Sequence, residues 1–129
     1  MPAPLTGFGN ARYVSLKTFR RDGRSVATPM WVVVQSGHLY FFSAGEAGKI
    51  KRLRHNQACE IALCDMQGNV SSPWTQGQAT LIDEHDKKRA VYRAMRDKYG
   101  WQMLAADIGG RLIGRYGRRA VIRVGIGDR

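Results

Sequence analysis

"RRDGRSVATPMWVVVQSGHLYFFSA", residues Arg20–Ala44, is the stretch that decides the fold. Asp22-Gly23 is a strong hairpin signal, because both residues tolerate the left-handed backbone that tight two-residue turns require. Ser36-Gly37 repeats the signal. Between the two turns, Ser25–Gln35 reads as one apolar strand, and His38–Phe42 reads as its return. Pro29 stands inside the first of these. Proline has no amide to give to a ladder, which argues against an ordinary central strand. Two readings stay open: an edge strand that tolerates the proline, or a break in pairing that leaves backbone groups to a ligand. In the second reading the Thr28 hydroxyl and the flat face of Trp31 lie beside the exposed backbone.

Working outward, Ala11–Phe19 alternates polar and apolar residues and predicts the first strand. After the third strand the period changes. Ser43 precedes Glu46 by three residues, a capping-box pattern, and predicts a short helix running to about His55. Ile50 and Leu53 define its inner side, Lys51, Arg52 and His55 the opposite side, and Lys49 the boundary. A helix start carrying lysine and arginine suits a phosphate; the plain alternative is a solvated basic face. Ala58–Cys64 and Trp74–Ile82 follow as strands four and five. Asp83 is expected to cap a long helix ended by Gly100, with Ala90, Val91, Ala94 and Met95 as its apolar stripe. Residues 101–110 suggest one more helical turn, and Arg111–Arg119 a basic loop suited to closing over an anion. Arg119–Ile126 alternates as the last strand.

The predicted order is therefore β-β-β-α-β-β-α-β. The connections between the first strands are too short for parallel crossovers. The expectation is a mainly β (α+β) fold: one small antiparallel barrel over residues 1–129 with two or three accessory helices, residues 1–10 forming a flexible start.

The composition agrees with this and restricts function. The 43% apolar and 24% charged shares are those of a globular protein with a real core. No apolar run approaches the ~20 residues of a membrane span, and the first residues lack the blocks of a signal peptide. A cytoplasmic location away from membranes is the expectation. Against 10 acids stand 21 Lys and Arg, a net charge of +11, which calls for an anionic partner. Nucleic acid is the rival on charge, although no recognition motif accompanies it.

Cys59 and Cys64 sit five positions apart in one strand, so they point to opposite faces and are expected as buried free thiols. His38, His55 and His85 fall in no metal-ligand or nucleophile spacing and read as structural or solvated. No Gly-rich phosphate loop follows a strand into a helix. Trp74 and Trp101 suit packing or dimer contacts.

Two of these features come in a fixed order: D-G-x-x-x-x-T-P-M-W from Asp22, then K-x-K-R-L-R-x-N from Lys49. With the pattern from Tyr13 to Val124, this resembles the flavin- and deazaflavin-binding split β-barrel family related to pyridoxamine 5′-phosphate oxidase. More narrowly it is similar to the branch of coenzyme F420-dependent oxidoreductases. The resemblance implies a six-stranded antiparallel split barrel, a homodimer, and a cofactor groove at the subunit interface. It places Thr28, Pro29, Met30 and Trp31 against the cofactor ring. It places Ser43 and Ala44 near the phosphate, with Lys49, Lys51 and Arg52 holding it. The implied activity is hydride transfer from F420 to an electron-poor small molecule. FMN in the same groove, or a non-catalytic flavin-, F420- or haem-binding protein, are its alternatives. The chain lacks the C-terminal extension and R-x-H pattern of the oxidases proper, so vitamin B6 oxidation is not implied.

Overall fold

The computed structural model describes residues 7–9, 11–44, 48–100 and 119–126. Seven strands run β1 Val14–Phe19, β2 Ser25–Met30, β3 Val33–Gln35, β4 His38–Ala44, β5 Ala58–Leu63, β6 Thr75–Ile82 and β7 Arg119–Ile126. Two helices interrupt them, α1 Gly48–His55 and α2 His85–Tyr99. Every described pairing is antiparallel, and the sheet order is β2-β1-β5-β6-β7-β4-β3.

That order carries the architecture. β2 and β3 are consecutive in the chain and yet form opposite edges of the sheet. Only Trp31 and Val32 separate them, and three peptide steps span at most about 11 Å. The two edges must therefore lie close together, which curls the sheet into a barrel left open along one seam. This is a split barrel.

The expected single strand Ser25–Gln35 is thus two strands, and the anticipated six strands become seven. The break does not fall at Pro29. Pro29 stays in register opposite Ser15, and Met30 opposite Val14. Pairing stops two residues later, at Trp31-Val32. Here the ladder is replaced by side chains: the Val32 amide donates to the Tyr99 hydroxyl at 2.9 Å, and Lys98 Nζ donates to the Val32 carbonyl at 2.7 Å. A buried backbone group needs a partner, and Val32 is fully buried. Helix α2 supplies both.

Both hairpin turns form as expected. Gly23 takes φ +92°, and Ser36 and Gly37 both take positive φ, as a two-residue hairpin demands. Asp22 fastens the first turn by accepting from the Arg24 amide and Nε.

The core divides between the two faces of the sheet. Inside the barrel, Val14, Leu16, Leu39, Phe41, Ile61, Ile122 and Val124 pack with Ile50 and Leu53 of α1. Outside, Val33, Tyr40 and Val121 pack under Val91, Met95 and Tyr99 of α2. Residues 39–41 are buried on both faces, which is why they read as an unbroken apolar run.

Several expected boundaries shift. The first strand begins at Val14, and the strand expected over Ala58–Cys64 ends at Leu63, with Cys64 in an isolated bridge to Val70. Ser43 pairs with Ala120 inside β4, because that strand continues two residues past Phe42; Glu46, its partner in the expected capping box, lies outside the described residues. Asp83 is not the cap of α2; Glu84 occupies that position without a side-chain bond. Gly100 ends α2 as expected, with φ +57° and its amide on the Arg96 carbonyl. The extra helical turn over 101–110 and most of the basic segment Arg111–Arg119 lie outside the described residues. So does most of the 1–10 segment, although Phe8 is buried in the barrel core.

Candidate functional site

Helix α1 is short, and its position depends on two buried side chains. Ile50 and Leu53 are 1% and 2% exposed, locking one side of the helix to the barrel. That turns Lys51 and His55 outward toward the tip of the β1–β2 hairpin. Between the two elements lies a groove of about 410 Å³, lined by Phe19, Arg20, Arg21, Asp22, Arg24, Gly48, Lys51, Arg52 and His55. Five of those nine residues are Lys or Arg, and one is acidic.

The groove has fixed parts. Arg52 Nε donates to the buried Thr18 hydroxyl at 2.7 Å, and its guanidinium folds back over the start of the helix at Gly48. Burial, and then the neighbouring charge of Arg20, lowers the Arg52 pKa. Arg21 meets the His55 ring at 2.9 Å across the groove. Asp22 is engaged by Arg24 at 2.8 Å. The hydrogen bond from the Arg24 amide is the largest cause of its lowered carboxyl pKa. Lys49 does not line this groove. It is half-buried, and burial followed by the Arg52 charge lowers its pKa.

The remaining candidates lie along the open edge of the barrel. Thr28 follows Val26 by two residues on β2, and Val26 pairs with Thr18, the residue that Arg52 holds. Thr28 is therefore about 7 Å along the strand from that anchor, and Met30 about twice as far. Met30 is buried in the barrel. Pro29 alternates to the other face and packs near Gly68 of the β5–β6 loop. Trp31 stacks on Tyr99, with ring centroids 4.4 Å apart and planes 9° from parallel. Their side chains do not converge on one point. Thr28, Pro29 and Met30 share an edge strand: among the described residues β2 pairs only with β1. Ser43 is nearly buried in β4, and Ala44 pairs with Arg119.

Arg20, Arg21 and Arg24 were not among the sequence candidates: three arginines surround one Asp-Gly turn, but nothing local says that α1 faces them. His55, read as structural or solvated, also belongs to the groove.

Among the described residues no group of three His, Cys, Asp or Glu could hold a metal. Both cysteines are free, as expected, but only Cys59 is buried; Cys64 is partly exposed. Burial, then the Glu60 charge, pushes the Cys59 thiol up to about 12, and burial, then the Asp65 charge, raises Cys64. A thiol kept neutral in the fold contributes stability that is complete below pH 9 and lost as pH rises toward 12. Lys98, lowered to about 8 mainly by burial, acts with the opposite sign between pH 8 and 10.5. The informative comparison is therefore wild type against Cys59→Ala at each pH. In urea unfolding, the variant is expected to lose less stability than wild type between pH 9 and 11.

A family model for pyridoxamine 5′-phosphate oxidase matches residues 5–125. Among curated proteins there is no match. Solved structures share the fold at low identity. A conserved hypothetical protein from Mycobacterium tuberculosis is 18% identical with a TM-score of 0.74, the alignment covering 99% of this chain and 81% of that one. HutZ, a haem storage protein from Vibrio cholerae, is 13% identical with a TM-score of 0.71, covering 98% and 89%. An F420 reductase is 17% identical with a TM-score of 0.61, covering 95% and 92%.

Proposed function

Since the chain belongs to the pyridoxamine 5′-phosphate oxidase family, we propose that it is an oxidoreductase that binds coenzyme F420 and acts on an electron-poor small molecule. The observation that carries this reading is the cationic groove at one end of an open strand edge. Lys51 and Arg52 would hold the cofactor phosphate, with Lys49 behind them and Ser43 and Ala44 at the neighbouring strand end. The edge of Thr28, Pro29, Met30 and Trp31 would receive the ring.

When bound, a reduced deazaflavin supplies a hydride equivalent to an electron-poor double bond. The chain's own part is to bind and orient. Arg52 is preorganised by Thr18, so little side-chain freedom remains to be lost on binding. The edge strand β2 would offer backbone groups, and Phe19 gives one side of the groove an apolar lining.

Charge favours F420 over FMN, because among the described residues the groove gathers five cations against one acid, more than a single phosphate requires. A homodimer completing the site is part of the proposal. It is supported by the open β2 edge and by Met66 and Val70, exposed apolar side chains on the β5–β6 loop that reaches Pro29. Binding without catalysis is the second reading, favoured by the likeness to a haem storage protein.

The experiment is a fluorescence titration of purified protein with F420 and FMN separately, repeated with Lys51→Ala and Arg52→Ala. Each substitution is expected to weaken F420 binding about tenfold, roughly 1.4 kcal/mol, with light scattering giving a dimer mass. If neither cofactor binds below about 100 μM, an affinity worth only about 5.5 kcal/mol, the proposal is wrong. Turnover with an acceptor panel separates enzyme from carrier.

A further inference from the structure

We propose that the Lys98 amine is a modification site, taking the acyl group of a small acyl phosphate, and that the modification loosens the seam of the barrel. The inference is independent of the proposed cofactor and of the groove beside α1.

The first observation is how the amine is held. Lys98 lies in the last turn of α2, and its Nζ reaches two separate parts of the chain. It donates to the Val32 carbonyl at 2.7 Å and to the Gly9 carbonyl at 3.1 Å. Among the described residues it has no third acceptor and no acid, the ion pairs there being Lys17–Glu60 and Arg24–Asp22. An ammonium brings three N–H groups to this place, whereas a neutral amine brings two and a lone pair. Two acceptors satisfy the neutral form completely, and they fix its lone pair in the remaining tetrahedral direction. The side chain is half-buried but not sealed, so a small electrophile can reach it.

The second is the set of groups around it. The Tyr99 ring centroid is 5.2 Å from Nζ, and the Arg12 guanidinium lies 5.0 Å from the same ring. An aromatic face attracts a cation, but burial and then the Arg12 charge outweigh it and lower Lys98 to about 8. Tyr99 does not stand in for the missing acid, because burial pushes its hydroxyl up to about 12. An amine titrating near pH 8 is roughly one quarter neutral at pH 7.5, against about one part in a thousand for an unperturbed lysine. Desolvation beside another cation is a general way of making a lysine nucleophilic. Lys49 is also lowered by burial, but no hydrogen bond among the described residues fixes its amine.

The third is the choice of acyl donor. A phosphate leaving group carries negative charge toward Arg12 and toward a chain of net charge +11. An uncharged ester gains nothing from either. In the reaction the Nζ lone pair attacks the acyl carbon, the C–N bond forms as the bond to the phosphate oxygen breaks, orthophosphate leaves, and the surplus amine proton passes to solvent. The product amide has one N–H and no charge, so it can serve only one of the two carbonyls. The Tyr99 hydroxyl can turn to the Val32 carbonyl at 3.2 Å only by leaving the Arg12 carbonyl. Acylation therefore frees either the segment at Gly9 or the crossover at Val32.

The test incubates the full chain with acetyl phosphate at about pH 7.5 and follows each lysine by peptide mass spectrometry at early times. Lys98 is expected to be acetylated at least about fivefold faster than the exposed Lys51, and faster than Lys49. In urea-unfolded protein that lead should vanish. With p-nitrophenyl acetate, an uncharged donor, the lead should be smaller. In the acetylated protein, and in Lys98→Gln, the Val32 amide should exchange with deuterium at least about tenfold faster than in the unmodified chain. A Lys98 rate at or below that of Lys51, or a lead that persists in urea, overturns the site. An equal or larger lead with the uncharged ester overturns the acyl phosphate as its donor. Unchanged exchange at Val32 in both the acetylated protein and Lys98→Gln overturns the loosening of the seam.

Discussion

Leu53→Ala is expected to lower the stability of the protein by about 2–5 kcal/mol and to weaken anion binding in the same variant. Leu53 is 2% exposed and packs in the barrel core with Ile50, its only partner in burial on α1. An eight-residue helix is unstable in isolation, so α1 exists because these two side chains are buried. Truncating one leaves a cavity and lets the helix fray, and the helix is what presents Lys51 and Arg52 to the groove. Urea unfolding reads the first effect, and F420 titration the second. Lys51→Ala is the control, since its side chain is exposed: binding should fall and stability should stay within about 0.5 kcal/mol of wild type. A Leu53→Ala loss below about 1 kcal/mol would show that α1 is held by something other than its apolar side.

Tyr99→Phe is expected to cost about 1–3 kcal/mol, the usual range for leaving a buried polar group unpaired. The hydroxyl accepts from the Val32 amide at 2.9 Å. It donates to the Arg12 carbonyl at 2.9 Å, with the Val32 carbonyl at 3.2 Å as its alternative acceptor. Phenylalanine keeps the ring that stacks on Trp31, so packing is conserved and the loss is one of hydrogen bonding. Lys98 still holds the Val32 carbonyl, but nothing replaces the partner of the Val32 amide. Hydrogen exchange should therefore show a local loss of protection at Val32, larger than at the β1–β5 ladder. Equal protection at Val32 in the two proteins would mean that the crossover is fixed without Tyr99.

The two variants mark where sequence reading succeeds and where it stops. The inner side of α1 was legible because Ile50 and Leu53 lie three residues apart, the spacing that helix geometry dictates. Its basic outer side was legible for the same reason. The groove was not, because Arg21 and His55 are 34 positions apart and meet only when the hairpin folds over the helix. The end of β4 was illegible for a related reason. Periodicity stops the strand at Phe42, but pairing with β7 carries it on through Ala44.

Apart from the division of Ser25–Gln35, the sequence by itself determined the element order, both hairpin turns, the apolar sides of the strands and helices, and the excess of positive charge. Each of these follows from backbone preference or periodicity within about ten residues. Only the tertiary structure decided where the long apolar stretch divides. Pro29 was the visible irregularity, yet an edge strand tolerates it and pairing continues to Met30. The division falls at Trp31-Val32, which looks like ordinary strand. It falls there because Lys98 and Tyr99, 66 and 67 positions away, satisfy the Val32 backbone in place of a neighbouring strand. A backbone group takes whichever partner the folded chain brings to it, and periodicity within a strand carries no information about a partner that distant.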